Sequence, residues 1–448
     1  MRQQTNWFRL LAFLLGLSLF AAACGDDDDD ASDDGDSGGE ETEEEVDPAI
    51  AALSETGDAD PSCENDSDDE FKIGGLLAET GDLGDILGAP QAAGAALAVA
   101  DVNAAGGVNG KPLVYDPKDS GDADPDLATP AVQEHLQGGV DAILGASASQ
   151  ISSDQIEAII GECTIMFSPS NTGPVFTTYE DDDLYFRTAA ADILQGRVLA
   201  ELAIEEGVEN AVIMARQDPY GEGLLTYIKA GFEDAGGTID DEIVYVPEAT
   251  EFDTEVDEVV SADPDALFLV GFDESSAILS SLVESGFTPA DKKIYFVEGN
   301  MGNSVGEAFT EPGALTGIKG TIPGARVADD FRTRLLEQDP ALGTFTYGPE
   351  TYDAITILSL AAVAAETDES AAVARQINGV TRDGEKCEDY ASCLALLEAG
   401  TDIDYDGKSG PVDFAKPGEP TAANYGIYTW NEDNTVNTED VEFKDTSL

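Results

Sequence analysis

The chain has 448 residues, a formal net charge of −71, one histidine and five cysteines. This length, with 42% apolar residues, is enough for two or three domains with buried cores. Nucleic-acid binding is excluded, because phosphate contacts need clustered cations. A single histidine also leaves little room for hydrolase triads or histidine-based metal sites, so we expect neither a metal nor another cofactor.

Residues 1–23 have the features of an export signal. Two arginines accompany the apolar run 10–20, and the small residues 21–23 lead directly to Cys24. The pattern resembles a bacterial lipobox, which implies that Cys24 is lipidated and anchors the protein to the extracytoplasmic face of a membrane. An ordinary secretory signal with an incidental cysteine is the alternative. Both interpretations predict export.

The acidic residues are concentrated in one segment but not confined to it. Residues 25–70 hold 22 acidic and no basic residues, while residues 71–448 still carry a net charge of −51. A segment with so much like charge repels itself and cannot bury a core. We therefore predict that residues 24–70 form a disordered acidic tether. The remaining charge is interpreted as a surface property suited to solubility in salt.

The four cysteines after Cys24 predict two disulfides in an oxidising compartment. Cys387 and Cys393 enclose five residues of a Gly/Asp-rich segment and are expected to pair. A metal site is the alternative, but no further cysteine or histidine lies nearby in the sequence to complete four ligands. Cys63 and Cys163 are then the second pair by elimination.

Short apolar runs alternate with helical segments along most of the chain. Strands are predicted at 72–78, 113–116, 141–145, 164–168, 210–215, 242–246, 265–271 and 293–298, with a final pair near 411–415 and 425–430. Helices are predicted at 89–104, 125–137, 150–161, 192–206, 219–235, 254–261, 274–285 and 348–366. This alternation predicts an α/β protein with two parallel sheets covered by helices.

Ligands of such sheets bind beyond the carboxyl ends of the strands. Ser149 precedes a predicted helix, so its hydroxyl and the first free N–H groups could hold a carboxylate, although a plain helix cap is the alternative. Glu298 ends an apolar run, where a carboxylate is costly unless it is paired, and it would suit an ammonium group. His135 is expected to be an exposed helical residue. No nucleophile–base pair accompanies these positions, so the sequence does not predict an enzyme.

Residues 71–443 resemble the extracellular solute-binding proteins of branched-chain amino-acid ABC transporters, the leucine/isoleucine/valine-binding family. The resemblance rests on segments in order: 71–74 (FKIG), 101–113 (DVNAAGGVNGKPL), 168–172 (SPSNT), 220–223 (YGEG), 297–299 (VEG) and 352–354 (YDA). It implies the type I periplasmic-binding-protein fold, in which two Rossmann-like lobes close on a ligand by hinge motion. The implied lobes are 71–189 with 325–421 and 190–324 with 422–443. Three hinge crossovers are implied near 188–191, 322–325 and 418–423.

The resemblance also implies how the backbone of an amino-acid ligand is held. Ser149, the backbone of Ser170 and the hydroxyl of Thr172 would bind its carboxylate. Glu298 would pair with its α-ammonium in a charge-assisted contact.

The side-chain pocket is implied less fully. Tyr220 would cover the ligand, and Phe272 stands where the best-known members have a tyrosine. Leu87 lies near an aromatic lid position, in a loop that is one residue longer here. These residues favour an apolar ligand, with leucine, isoleucine or valine first, and relatives that bind short amides, urea or organic and aromatic acids supply the alternatives. The implied partner is an ABC permease and ATPase, with a membrane signalling protein as the alternative, and the receptor itself is expected to be monomeric.

Overall fold

The structure, a computed structural model, describes residues 46–122 and 125–448. The signal segment 1–23, Cys24 and the tether residues up to 45 lie outside the described residues. The helices are α1 (Pro48–Leu53), α2 (Ala89–Ala104), α3 (Pro125–Gly138), α4 (Ser149–Ile160), α5 (Asp192–Glu205), α6 (Pro219–Asp234), α7 (Asp253–Ala262), α8 (Ser275–Glu284), α9 (Asn303–Glu307), α10 (Asp329–Gln338), α11 (Gly348–Ala365), α12 (Ser370–Ile377) and α13 (Tyr390–Glu398). The strands are β1 (Lys72–Leu77), β2 (Val114–Asp119), β3 (Ala142–Gly145), β4 (Ile165–Ser168), β5 (Tyr185–Arg187), β6 (Asn210–Arg216), β7 (Thr238–Tyr245), β8 (Ala266–Val270), β9 (Lys293–Phe296), β10 (Lys319–Pro323), β11 (Glu385–Cys387), β12 (Ile403–Tyr405), β13 (Ala422–Trp430) and β14 (Val436–Ser447).

Two large sheets organise these elements. The first has the order β2-β1-β3-β4-β5 and is parallel throughout. The second has the order β14-β13-β10-β9-β8-β6-β7, and β13 and β14 are antiparallel additions to its parallel part. Strands β11 and β12 form a separate small sheet. The predicted βαβα alternation thus produces two parallel sheets.

The end of the chain differs from the prediction. Residues 411–415 do not form a strand, because Phe414 makes only an isolated bridge to Pro420. Prolines at 411 and 417 flank this stretch, and a proline has no N–H to give to a ladder. The antiparallel partner of β13 is instead β14, which runs to Ser447.

Apolar side chains alternate between the two faces of each sheet, as a strand period of two requires. In the first sheet, Ile143 and Met166 face an apolar cluster that also contains Ile213 and Phe268 of the second sheet. The opposite face of the first sheet, including Leu144, packs against other helices in a separate core. One apolar layer therefore extends from lobe to lobe and surrounds the region between them.

The connections between the sheets are linked by a buried ion pair. Arg187 ends β5, just before the chain crosses to α5, and Glu419 lies in the segment that leads back to β13. The Nε of Arg187 donates to Glu419 at 2.7 Å, and both side chains are almost fully buried. Arg187 also donates to the carbonyls of Asn171 and Gly173. This pair fixes two of the crossovers to the first lobe.

His135 is buried, contrary to the sequence-based expectation of an exposed residue. Its ring is 1% exposed, and its Nε2 lies 3.0 Å from the carbonyl of Gly75 in β1. A Cβ on Gly74 would lie 2.6 Å from the ring. Gly74 therefore leaves the space that the imidazole fills, and burial lowers the pKa of His135.

Residues 46–70 correct the prediction of a disordered tether that extends to residue 70. They contain α1 and then run along the first lobe, where Asp58 pairs with Arg382 at 2.7 Å. The structure also contains both predicted disulfides. Cys63–Cys163 joins this segment to a position two residues before β4, and Cys387–Cys393 closes a local loop. Ion pairs, a covalent bond and the buried side chains of Ala49, Leu53 and Ala59 hold the segment against the folded body. No helix in the described part of the chain has the length and apolar character needed to cross a membrane.

Candidate functional site

The seven positions assigned by the resemblance are all buried near the junction of the lobes. Their exposed fractions are 4% for Leu87, Ser149 and Glu298, 6% for Ser170, 1% for Thr172, 5% for Tyr220 and 7% for Phe272. A Cβ on Gly173 would lie 3.3 Å from both the Ser149 Oγ and the Pro219 carbonyl, so the two lobes approach closely here. The structure therefore brings positions from both lobes together.

The loop after β4 and the start of α4 form the side of the site in the first lobe. Ser149 is the first residue of α4, and its Oγ accepts the Gly173 N–H at 3.4 Å. The Ser170 hydroxyl donates to the Ser147 carbonyl at 2.9 Å and accepts from Gln91 at 2.7 Å. These internal bonds hold the loop in place, so the Ser170 side chain is a support rather than a free donor.

Glu298 occupies the opposite side of the site, directly after β9. It accepts a hydrogen bond from the Gln195 amide at 2.6 Å. Burial raises the pKa of Glu298 to about 7, although the hydrogen bond from Gln195 acts to lower it. Burial therefore favours the protonated form of Glu298 when no cation is present, and a cation bound beside it would favour the ionised form.

Asp192, which the sequence analysis missed, is a second buried carboxylate in the same place. It begins α5, is fully buried, and its N–H donates to the Thr172 carbonyl at 2.9 Å. Neither of its side-chain oxygens has a hydrogen-bond partner among the described residues. Burial first, and then the charge of Glu298, raise the pKa of Asp192 far above its usual range.

Three further polar groups face the two carboxylates. The hydroxyls of Tyr220, Tyr347 and Tyr425 are buried without a hydrogen-bond partner in the described part of the chain. Burial raises the pKa of each phenol, and the charges of Asp192 and Glu298 raise it further. Tyr347 and Tyr425 were also missed by the sequence analysis, because an isolated tyrosine has no pattern that separates a site residue from a core residue.

An aromatic stack forms the apolar wall. The Tyr220 and Phe272 rings are stacked with centroids 5.6 Å apart, and the Arg216 guanidinium lies 3.5 Å from the Phe272 centroid. Arg216 is in turn held by Asp218 at 2.6 Å. Leu87 belongs to the same apolar cluster as both rings. Phe272 is thus fixed from one side by a cation and from the other by Tyr220.

The arrangement combines two buried carboxyl groups with an apolar wall. Neither Asp192 nor Glu298 forms an ion pair with any lysine or arginine of the described residues, although most basic side chains there do. Buried carboxylates without a cation are costly. The chemistry fits a ligand that brings its own positive charge. The fold and the site together define a bilobed solute-binding protein rather than an enzyme.

The chain belongs to the periplasmic binding protein family, whose model matches residues 70–435. Membership implies an extracytoplasmic location and confirms the fold class that the sequence predicts. The match begins almost where β1 begins, so the segment before residue 70 is additional to the family's common part.

Relatives with known names are similar over most of their length. A leucine-, isoleucine-, valine-, threonine- and alanine-binding protein of Pseudomonas aeruginosa is 25% identical over 374 residues, covering 81% of this chain and 89% of the relative. A substrate-binding protein of a chemotactic signal transduction system in Halobacterium salinarum is 26% identical over 341 residues, covering 72% and 78%.

Solved structures show the same fold. A leucine binding protein of Thermotoga maritima has a TM-score of 0.68 at 20% identity and covers 83% of this chain and 98% of its own. A solute-binding protein of R. palustris in complex with 4-hydroxybenzoate has a TM-score of 0.68 at 16% identity, covering 84% and 98%. The neighbours thus share an architecture across different ligands.

Proposed function

We propose that this protein is the extracytoplasmic receptor of an ABC importer and captures a small amino acid, with leucine, isoleucine or valine first, between its lobes. The observation that carries the proposal is the buried pair of carboxylates, Asp192 and Glu298, neither of which forms an ion pair with a lysine or arginine of the described residues. An α-ammonium supplies a positive charge and three N–H donors to such a pair.

The other end of an amino acid also finds a partner. Ser149 at the start of α4 offers a hydroxyl, and the free N–H groups of a helix N-terminus favour an anion. The Thr172 carbonyl accepts the Asp192 N–H at 2.9 Å, and the neighbouring Gly173 N–H donates to Ser149. Tyr220, Phe272 and Leu87 would then contact an apolar side chain, which supports an aliphatic ligand.

Delivery of the ligand depends on the membrane anchor of the receptor and on its membrane partner. Cys24 would carry lipid, so that the receptor works as a monomer close to a permease and ATPase in the same membrane. The named amino-acid-binding relative supports transport, whereas the chemotactic relative supports a second candidate, a sensor that uses the same binding event to engage a signalling protein. A permease and ATPase encoded beside the gene favours the importer, and a signalling partner there favours the sensor.

Other ligand classes fit the site less well. A simple organic or aromatic acid brings a negative charge towards two carboxylates, and urea or a short amide brings no positive charge. The 4-hydroxybenzoate neighbour shows that the fold itself accepts an aromatic acid. The preference for an amino acid over an organic acid or an amide therefore depends on Asp192 and Glu298 rather than on the fold.

Calorimetry tests the proposal directly. The mature chain, unfolded and refolded to remove carried ligand, is titrated with each amino acid, urea, acetamide and 4-hydroxybenzoate. We expect an aliphatic amino acid to bind best and Glu298→Gln to weaken it strongly. Tight binding of 4-hydroxybenzoate without binding of any amino acid would show that the proposed ligand class is wrong.

A further inference from the structure

Residues 46–70, here called the strap, begin with helix α1, which also contacts the second lobe, and then run along the first lobe. The strap precedes the residues that match the family. Its helix α1 packs against the 3-10 turn Pro174–Thr178 of the first lobe and reaches Tyr227 of α6 in the second. The strap is therefore in contact with both bodies that a hinge motion would separate.

The strap is attached firmly to the first lobe. The Lys416 N–H donates to the Glu55 carbonyl at 2.8 Å, and the Asn378 amide donates to the Gly57 carbonyl at 3.0 Å. Further along, the strap is covalently joined to the lobe by Cys63–Cys163. Movement of the first lobe must carry the strap with it.

Contact with the second lobe is made by α1 and by Asp47, which precedes it. Asp47 caps α1 with one oxygen, which accepts the Ala49 N–H at 2.8 Å, and its other oxygen accepts the Tyr227 hydroxyl at 3.0 Å. Leu53 is 4% exposed and packs with Ile193 at the start of α5. A carboxylate and an apolar side chain thus hold the second lobe from outside the cleft.

Helix α6, which α1 contacts through Tyr227, must move when the two lobes separate. Tyr220 and Tyr227 are seven residues apart on α6, which places them on the same face two turns from each other. A Cβ on Gly223, between them, would lie 2.4 Å from Pro174 of the first lobe. Separating the lobes withdraws α6 from this contact, and it breaks the Asp47–Tyr227 bond because Asp47 stays with the first lobe.

We propose that the strap acts as a latch on the closed form, with Asp47 and Tyr227 as positioning residues that slow opening and so retain the ligand. The part of this proposal that concerns ligand retention rests on the proposed function. The part that concerns the contact of the strap with both lobes does not. A hydrogen bond to a charged acceptor is among the stronger kinds, so the bond favours the closed form measurably.

Paired variants test the latch. Tyr227→Phe removes the donor, and Asp47→Ser keeps a good helix cap while removing the second oxygen. We expect each to speed leucine dissociation about 3- to 10-fold, and we expect the double variant to be no faster than either single variant, since one bond is lost in all three. Tyr295→Phe is the matched control, because Tyr295 donates to Glu206 at 2.8 Å entirely within the second lobe.

A second measurement needs no ligand. Small-angle scattering of the ligand-free mature chain is expected to give a larger radius of gyration for Tyr227→Phe and Asp47→Ser than for the wild type and Tyr295→Phe. Unchanged dissociation together with an unchanged radius overturns the latch, as does an equal effect of Tyr295→Phe. If leucine binds none of the proteins, the proposed ligand fails, and the scattering comparison still decides whether the strap holds the lobes.

Discussion

Gln195 donates its side-chain amide to the carboxylate of Glu298 at 2.6 Å, and the same amide donates to Thr321 at 3.0 Å. The amide N–H groups thus donate to two acceptors of the second lobe, Glu298 and Thr321. The Gln195 carbonyl oxygen has no partner within the described residues. Gln195 therefore orients Glu298 and leaves one oxygen of its own facing the site. It is a positioning residue for the carboxylate that we expect to bind the ligand's ammonium.

Replacing Glu298 by glutamine is expected to weaken leucine binding by about 100-fold or more, since a buried charge pair loses one partner. Titration calorimetry at pH 7.5 measures the loss. Glu206→Gln is the control, because Glu206 lies on the outer side of the second lobe with Lys319 and Tyr295. An affinity of the Glu298 variant equal to that of the wild type would remove Glu298 from the site.

Leucine affinity is expected to rise with pH between about 5 and 7 and then level off. The pKa of Glu298 is about 7 in the folded protein, and an ammonium ligand favours the ionised carboxylate, so binding releases protons below that pH. Calorimetry in two buffers of different ionisation enthalpy counts the protons. Glu298→Gln should flatten this dependence, and a steep rise that persists in the variant would assign it to another group.

Asp192→Asn is expected to change ligand-free stability and ligand affinity in opposite directions. The raised pKa of Asp192 means that the folded protein binds more protons than the unfolded one above pH 4, so stability falls as pH rises through this range. Asparagine removes that cost, and the melting temperature at pH 7 should increase while leucine binding weakens.

A buried aspartate outside the site provides the control for Asp192. Asp353 accepts hydrogen bonds from the Tyr405 hydroxyl at 2.6 Å and the Ser409 N–H at 2.8 Å. Asp353→Asn places an amide where donors already point and is expected to cost about 1–3 kcal/mol. If both variants destabilise the ligand-free protein, Asp192 has a structural role instead.

Breaking the pair between the crossovers is expected to be strongly destabilising. Arg187→Met leaves Glu419 buried without its cation and should lower the free energy of unfolding by about 3–5 kcal/mol. The double variant with Glu419→Leu should lose less, because no buried charge remains. Arg334→Met, which removes a half-exposed pair with Asp101, should cost about 1 kcal/mol or less in chemical denaturation.

The two disulfides are expected to contribute unequally. Cys63 and Cys163 are 100 residues apart, and Cys387 and Cys393 are 6 apart, so the larger loop restricts the unfolded chain more. Loop entropy predicts about 4.7 kcal/mol for the former and about 2 kcal/mol for the latter. Urea unfolding of Cys163→Ser and Cys387→Ser measures both losses, and a loss that is the same with and without reductant would be a packing effect.

Although β5, β10 and β14 were not predicted, the sequence by itself determined the α/β class, most strands of the two large sheets and the pairing of the cysteines. These features depend on local periodicity, on turn residues and on counting, all of which are visible along the chain. The resemblance supplied Ser149, Thr172, Tyr220 and Glu298 as site positions, and the structure brings them together between the lobes.

The position of Asp192 and Tyr347 in the site and the order of the strap were determined only by the tertiary structure. An aspartate in the first turn of a helix is ordinarily a solvated cap or dipole partner, and Asp192 is buried beside Glu298 only because α5 packs against the loop of Thr172 in the first lobe. His135 is buried because Gly74, about sixty residues away, leaves it space and the Gly75 carbonyl lies 3.0 Å from its Nε2. The strap is ordered by Arg382 and Cys163, which are distant in sequence. The burial of a side chain and its ion pairs depend on residues that are distant in the sequence. The acidic composition of the strap predicts disorder, but the strap is ordered because the folded body supplies cations and a disulfide partner.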